Sequence, residues 1–181
     1  MINYKDYFNN IEEYKNNKDL VYAYGAKYEV ITEANIEKWK KASPSIYTIS
    51  YINKLKKDLG KIGIDCSGLV CKCLNINHIG SYQFYERYDK VNFENCKKGY
   101  LAWKKGHIGI ITDIDKNNKK IKVFEAKGID YDLQEVWYNF KDFTIGLIPP
   151  VFFEVGEDKE LEKELLEKIN LLLDKLDEIY K

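Results

Sequence analysis

One short segment, from Gly63 to Cys71, constrains the fold of this chain more than any other. It reads Gly-Ile-Asp-Cys-Ser-Gly-Leu-Val-Cys, a small polar cluster followed by an amphipathic run that ends at Leu74. Asp65 is a favourable N-cap residue, and the apolar residues that follow it recur at helical spacing. The pattern predicts a helix that begins at Cys66 and carries this cysteine in its first turn.

A cysteine in the first turn of a helix is well placed for nucleophilic chemistry. Unpaired backbone N–H groups and the positive end of the helix dipole favour a thiolate, so we expect the pKa of Cys66 to lie below the free-thiol value of about 8.5. The same N–H groups can hold a developing oxyanion. However, a free cysteine in a helix is usually just a small core residue, and this alternative must be weighed against the other motifs.

The run Asp-Cys-Ser-Gly-Leu-Val from Asp65 to Val70 resembles the nucleophile motif of the NlpC/P60 family of papain-like cysteine peptidases, which cleave bacterial cell-wall peptides. The resemblance implies a papain-like α+β fold, in which an antiparallel sheet packs against the helix bearing the catalytic Cys66. It extends through two further motifs in the family's order, from about Leu20 to Val155. Thiol chemistry of this type needs no metal or organic cofactor.

The segment from Gly106 to Thr112 is rich in β-branched residues and predicts a buried strand that opens on His107. It resembles the family's Gly-His-Val-Gly-Ile segment, whose histidine is the general base partner of the cysteine. Imidazole suits this task because its unperturbed pKa of about 6.5 lets it exchange protons near neutrality. A surface histidine at the start of a strand is the alternative. The second histidine, His78, matches no motif and is predicted to lie in a loop.

The strand expected at 121–128 follows a hairpin turn, and alternation puts Ile121, Val123 and Glu125 on one face. The family places its third catalytic residue here, usually a histidine before a small residue. This chain has Glu125 followed by Ala126. A carboxylate can accept a hydrogen bond from the imidazole and stabilise its charged form. The alternative is an exposed glutamate on an edge strand.

The segment Tyr-Ala-Tyr-Gly-Ala that starts at Tyr22 resembles the family's Tyr-x-Trp-Gly-Gly segment, with Tyr24 in the Trp place. The resemblance implies that Tyr22 lines the substrate pocket and that it and Ser67 help to hold a free amine end. Asp65 and Tyr24 complete the predicted substrate-binding residues. A segment that simply buries its aromatic rings is the alternative for both tyrosines.

The remaining patterns outline the rest of the chain. Periodicity predicts helices at 1–18, from Thr32 to just before Ser43, and at 46–59, with a turn at 60–63. Strands are expected at about 100–103 and over 136–155, whereas 75–95 shows no strong period. We therefore expect a catalytic domain over 1–155. Residues 156–181 are predicted to form a charged amphipathic helix with partial coiled-coil spacing, for docking, self-association or linkage to another module.

Composition excludes several classes of function. Lys plus Arg and Asp plus Glu each number 29, so no global charge suggests nucleic acid binding. No apolar run is long enough to predict a membrane span. The four cysteines match no zinc pattern and are expected to be reduced, without a metal. No secretory signal is evident, which favours a phage lysin held in the cytoplasm until release, or a part of a virion or prophage particle.

The resemblance implies a cysteine hydrolase that cuts peptidoglycan stem peptides next to D-glutamate, a D-γ-glutamyl-diamino acid endopeptidase. Cys66 would attack the carbonyl, His107 would move protons and Glu125 would orient His107, unless a Cys66–His107 dyad suffices. Three alternatives remain: an N-acetylmuramoyl-L-alanine amidase using the same site, an inactive wall-binding or assembly module, and an intracellular acyl-transfer enzyme of the same fold.

Overall fold

Five α-helices and two β-sheets make up the described residues, so the α+β class expected from the sequence is confirmed. The computed structural model describes residues 2–152 and 168–169. The helices are α1 (Tyr4–Asn16), α2 (Glu33–Ala42), α3 (Ile49–Leu55), α4 (Cys66–Cys73) and α5 (Ser81–Arg87). The strands are β1 (Leu20–Tyr22), β2 (Lys27–Val30), β3 (Ile62–Ile64), β4 (Asp89–Val91), β5 (Leu101–Lys104), β6 (His107–Asp115), β7 (Lys120–Gly128), β8 (Asp132–Asn139) and β9 (Ile145–Ile148). Short 3-10 helices lie at Lys56–Asp58, Phe93–Asn95, Phe140–Asp142 and Pro150–Phe152.

The larger sheet is antiparallel throughout and has the strand order β4-β9-β5-β6-β7-β8. Its centre is the β5–β6 hairpin, in which Ala102 lies opposite Gly109. The hairpin turns at Gly106, whose φ of +80° is strained for any residue with a side chain. Strand β6 therefore begins at His107, at one end of the sheet.

Helix α4 packs against one face of this sheet. Its apolar residues Leu69 and Val70 share a core cluster with Ile108 of β6 and Phe124 of β7, all fully buried. Gly68 lies on the crowded side of the helix, because a Cβ there would come within 3.1 Å of the Ala26 carbonyl oxygen. The helix predicted to begin at Cys66 is confirmed.

The opposite face of the sheet is covered by a second cluster. Ile111 of β6 and both Ile121 and Val123 of β7 are buried there with Phe143 and other aromatic side chains. Alternation along the strands places His107 on the same face as Ile111 and Glu125 on the same face as Val123. The shared face predicted for Ile121, Val123 and Glu125 is thus confirmed.

The turn predicted at 60–63 is wrong in its second half. Ile62–Ile64 forms β3, which pairs parallel to β1 and antiparallel to β2 in a small sheet. Gly63 is buried so closely that a Cβ would come within 2.9 Å of the Ala23 Cβ. Two glycines near one another suggest a turn, but pairing with strands distant in sequence decides this segment.

The helices at the N-terminal end were predicted more accurately than those in the middle of the chain. Helices α1 and α2 are confirmed, and α2 is capped by the Thr32 side chain as expected. The helix predicted at 46–59 is shorter, because α3 ends at Leu55 and a 3-10 turn follows. Helix α5 was not predicted. It forms because Phe84 is buried and the ring of Tyr85 stacks on that of Trp103, with the centroids 4.2 Å apart.

The helix predicted for 156–181 lies outside the described residues, apart from the helical pair Lys168 and Ile169. The domain boundary predicted at 155 lies outside them as well. None of the helices within the described ranges is long and apolar enough to cross a membrane.

Candidate active site

His107 and Glu125 face each other from neighbouring strands of the large sheet. The Nε2 atom of His107 lies 2.6 Å from Oε2 of Glu125, whose side chain is only 1% exposed. An ionised carboxylate can only accept hydrogen bonds, so Nε2–H is the donor and Nδ1 of the neutral ring is left as the base. Gly109 makes this approach possible, because a Cβ there would come within 2.4 Å of Val123 Cγ1 and 3.1 Å of Glu125 Cβ.

The second oxygen of Glu125 is bound from β8. Oε1 accepts hydrogen bonds from Gln134 Nε2, at 2.7 Å, and from the Tyr138 hydroxyl. Burial by itself raises the pKa of Glu125, but the hydrogen bonds from His107, Tyr138 and Gln134 outweigh it and hold the pKa below the ordinary value. The carboxylate is therefore ionised and fully hydrogen-bonded beneath the imidazole.

Gln134 and Tyr138 are site residues that the sequence analysis missed. They lie four residues apart on one face of β8, and Gln134 is directly opposite Glu125 in the β7–β8 ladder. Their spacing is visible in the sequence. Only the register of that ladder, which no local pattern specifies, shows that both reach Glu125.

Cys66 is the first residue of α4 and is partly exposed. The backbone N–H groups of Ile108, Ser67 and Cys66 itself each lower the pKa of the thiol. Ile108 directly follows His107, but its side chain packs with α4 whereas His107 lies on the opposite face of the sheet. Among the described residues, the imidazole is hydrogen-bonded to Glu125 and no hydrogen bond joins it to the Cys66 sulfur. The N–H groups expected to favour the thiolate therefore do act on Cys66 in that direction.

The pKa expected for Cys66 is nevertheless wrong in direction. Burial of the thiol, and after it the Asp65 carboxylate, raises the pKa of Cys66 to about 12. Both effects disfavour the thiolate, and they outweigh the three N–H groups. Sequence reasoning considered the helix dipole but not the adjacent capping charge. The thiol is therefore neutral at rest.

Asp65 and Ser67 form one hydrogen-bonded cap at the start of α4. Asp65 Oδ1 accepts from the backbone N–H of Gly68, at 2.7 Å, and from the Ser67 hydroxyl, at 2.8 Å. His78 lies in a loop, as predicted, but its Nε2 is 3.4 Å from Ser67 Oγ and 4.0 Å from Asp65 Oδ1. The cap therefore includes a histidine that no sequence motif indicated.

The two tyrosines predicted to bind substrate differ in their surroundings. Tyr22 lies near the nucleophile. Burial first, and then the nearby Tyr51, Cys66 and Asp65, raise the pKa of its hydroxyl. Tyr24 is 41% exposed, and its backbone is held by two hydroxyls of the segment around α3. Its N–H donates to Tyr51 at 2.9 Å, and its carbonyl accepts from Tyr47 at 2.6 Å.

Two cavities border these groups. One, of about 340 Å³, lies beside the imidazole and is lined by Lys104, His107, Glu125, Lys127 and Tyr138. The other, of about 190 Å³, lies beside α4 and is lined by Lys27, Gly68, Cys71, Lys72, Ile76, Asn77 and His78. Within the described residues, no group of three or more His, Cys, Asp or Glu side chains is placed to hold a metal ion.

No protein-family model matches this sequence, and no curated protein matches it. Among solved structures, the fold is similar to that of the peptidoglycan hydrolase RipB from Mycobacterium tuberculosis, with a TM-score of 0.38. The similarity covers 66% of this chain and 68% of that chain, at 17% sequence identity.

Proposed function

We propose that this chain is a cysteine hydrolase of peptidoglycan stem peptides, a D-γ-glutamyl-diamino acid endopeptidase of the NlpC/P60 type. The observation that carries the proposal is the 2.6 Å hydrogen bond between His107 and buried Glu125, on the sheet against which the helix that begins at Cys66 packs. A nucleophile, a base and a group that orients the base are the three parts that acyl transfer requires. The order of the three motifs along the chain supports the same assignment.

The neutral resting thiol implies general base catalysis rather than a preformed ion pair. Nδ1 of His107 accepts the proton of Cys66 as the sulfur attacks the carbonyl carbon. Nε2–H stays bonded to Glu125, whose negative charge stabilises the imidazolium that forms. The carbonyl electron pair moves to the oxygen, for which the backbone N–H groups at the start of α4 are the candidate donors.

Collapse of this intermediate breaks the C–N bond and leaves a thioester on Cys66. His107 returns its proton to the departing amine, which leaves as a neutral product. A water molecule then attacks the thioester, with His107 again as the base, and the carboxylic acid is released as the thiol is restored. No atom outside this chain, the substrate and water is needed for the cycle.

The amine end of the substrate is assigned to the cap of α4. Asp65 directly precedes Cys66, and both residues contribute to the raised pKa of the Tyr22 hydroxyl. A substrate ammonium group at Asp65 would form a charge-assisted hydrogen bond. It would also offset the carboxylate charge that opposes thiolate formation. Binding of the correct substrate would thereby make Cys66 easier to deprotonate.

Incubation with purified muropeptides, followed by mass assignment of the products, tests this function. An endopeptidase releases fragments cut on the carboxyl side of D-glutamate, whereas an amidase separates the whole peptide from the sugar. Whole peptides separated from the sugar would show that the protein is an amidase and not an endopeptidase. No product from wild-type protein under any condition would leave a binding or assembly module, or an acyl-transfer enzyme that acts on another substrate.

A further inference from the structure

We propose that Lys104 and Lys127 form a carboxylate-binding subsite beside His107, which holds a free carboxylate on the leaving-group side of the substrate. The proposal rests on the proposed hydrolase function for the identity of the reacting bond. It names a recognition element that none of the three sequence motifs contains. The ligand chemistry is that of an amino acid residue whose own carboxylate is not part of a peptide bond.

Strand order places the two lysines on opposite sides of the imidazole. Lys104 ends β5 and pairs directly with His107 of β6, while Lys127 lies on β7, two residues after Glu125. Strands β5 and β7 flank β6 in the large sheet. Both lysines line the cavity of about 340 Å³ that also contains His107, Glu125 and Tyr138. A ligand in this cavity would lie between the two ammonium groups.

Aromatic faces hold both ammonium groups without neutralising them. The Nζ of Lys104 lies 4.6 Å from the ring centroid of Phe143 and donates to the Asp142 carbonyl at 3.3 Å. The Nζ of Lys127 lies 5.3 Å from the ring centroid of Tyr138 and 4.7 Å from that of Tyr131. Such contacts orient a cation but leave its charge available.

Neither lysine has an ion-pair partner within the described ranges. Other lysines nearby do: Lys15 and Lys122 both pair with Glu135, at 2.8 and 2.7 Å. The one carboxylate in the cavity is Glu125, and both of its oxygens already accept hydrogen bonds. The cavity thus contains two ammonium groups and one carboxylate whose oxygens are already occupied, which leaves an excess of positive charge beside the imidazole.

The mechanism decides which part of the substrate lies here. His107 must return its proton to the departing amine, so the leaving group has to approach the imidazole. The lysines border that same ring. A carboxylate on the residue that carries the leaving amine is therefore the anion that can reach them, and charged hydrogen bonds of this kind are the stronger ones.

Binding of a matched pair of peptides tests the subsite without turnover. The probes are L-alanyl-γ-D-glutamyl-L-lysine as the free acid and as its C-terminal amide, titrated calorimetrically into the full chain carrying Cys66→Ala. We expect the acid to bind about 10-fold more tightly, equivalent to about 1.4 kcal/mol. Adding Lys104→Met or Lys127→Met should remove most of this preference while leaving the affinity for the amide unchanged.

The controls separate a charge effect from a general loss of structure. Lys105→Met, in the exposed turn next to Lys104, should keep the preference, because Lys105 does not line the cavity. Lys104→Arg should keep it as well. Equal affinity for acid and amide in the Cys66→Ala chain, or no binding of either peptide, overturns the subsite. A preference that survives both lysine substitutions also overturns it.

The binding experiment can disprove the lysine subsite without disproving the proposed function, and the reverse is also true. If wild-type protein cleaves muropeptides but acid and amide bind alike, the hydrolase stands and the lysine subsite falls. If wild-type protein cleaves nothing but the lysine-dependent preference is found, the subsite stands and the hydrolase falls.

Discussion

The hydrogen bond between His107 Nε2 and Glu125 Oε2, at 2.6 Å, joins the only imidazole on the large sheet to a carboxylate that is 1% exposed. An isolated buried carboxylate is costly, and this one is ionised only because three donors surround it. The alternative of an exposed glutamate on an edge strand is excluded, since β7 lies between β6 and β8. Glu125 is thus built into the site as an oriented acceptor.

Replacing Glu125 by Gln tests the positioning role. The variant keeps the shape of the side chain but removes the charge that stabilises the imidazolium. We expect turnover to fall about 10- to 100-fold, or roughly 1.4 to 2.7 kcal/mol of transition-state stabilisation. The acid limb of the pH–rate profile should move to lower pH, because the ring loses the charge that favours its protonated form. Steady-state kinetics across pH measure both effects.

A matched control for this variant is Glu135→Gln on β8. Glu135 pairs with Lys15 and Lys122 rather than with the imidazole. Its removal should leave the rate and the pH–rate profile unchanged. If Glu125→Gln behaves like this control, the site works as a Cys66–His107 dyad.

Cys66→Ala should abolish turnover and leave the fold intact. Loss of a nucleophile in a comparable catalytic unit reduces the rate by more than about 10³-fold. Cys96→Ala is the control. Cys96 is also a free thiol, but it is buried and lines neither of the two cavities at the site. Wild-type activity in Cys66→Ala, with circular dichroism unchanged, would refute the cysteine mechanism.

Asp65→Asn should lower the pKa of Cys66. The raised pKa means that the thiol stays protonated to a higher pH than a free cysteine, and Asp65 is the nearest charge responsible. Asn keeps the N-cap hydrogen bond, so the helix should persist. We expect iodoacetamide alkylation of Cys66, followed by peptide mass, to show an inflection above about 8.5 in wild type and a lower one in the variant.

Asp113→Asn, which removes a carboxylate paired with Lys98 on the surface, is the control for this measurement. Its alkylation profile should match that of wild type. A wild-type inflection below that of a free thiol would mean instead that Cys66 exists as a thiolate at rest.

Local patterns predicted the parts of the site that local physics determines. The cap at Asp65, the first-turn position of Cys66 and the strand that opens on His107 all follow from short-range propensities and periodicity. The face of Glu125 follows from alternation along one strand. Each of these features depends on residues within a few positions of one another.

The remaining parts depend on which segments meet. Gln134 and Lys104 reach the site through strand register, which is set by tertiary packing. Strand β3 forms because β1 and β2 lie on both sides of it, against a glycine-rich local sequence. The pKa of Cys66 depends on the balance between burial and backbone donors, and the helix dipole alone indicates the wrong direction.

Because Glu135 forms ion pairs, we expect part of the free energy of unfolding to be lost at acid pH. Burial raises the pKa of Glu135, but the hydrogen bonds from Lys122 and Lys15 outweigh it and lower the pKa to about 2. A folded-state pKa below the unfolded value adds stability that is complete above the unfolded pKa, which is 4.5. That stability is lost as the pH falls from this value towards 2.

Urea unfolding of wild type and Glu135→Gln at several pH values measures this contribution. We expect the variant to be less stable by about 1 kcal/mol at neutral pH, on the scale of partly exposed ion pairs. The difference should vanish at the acid end of the range. If the variant is less stable than wild type by the same amount at every pH, the lost stability comes from packing and not from the ion pairs.

The tyrosine pair around α3 gives the last prediction. Tyr51 accepts from the Tyr24 N–H and Tyr47 donates to the Tyr24 carbonyl, so Tyr24 is held through both of its backbone groups. Tyr51→Phe or Tyr47→Phe removes one of these bonds, worth about 1 kcal/mol. Because we propose Tyr24 for the substrate wall and not for the chemistry, we expect KM to rise about fivefold with kcat nearly unchanged. Tyr82→Phe, which alters an exposed ring on α5, should change neither constant. A fall in kcat at constant KM would show instead that this wall positions the reacting groups.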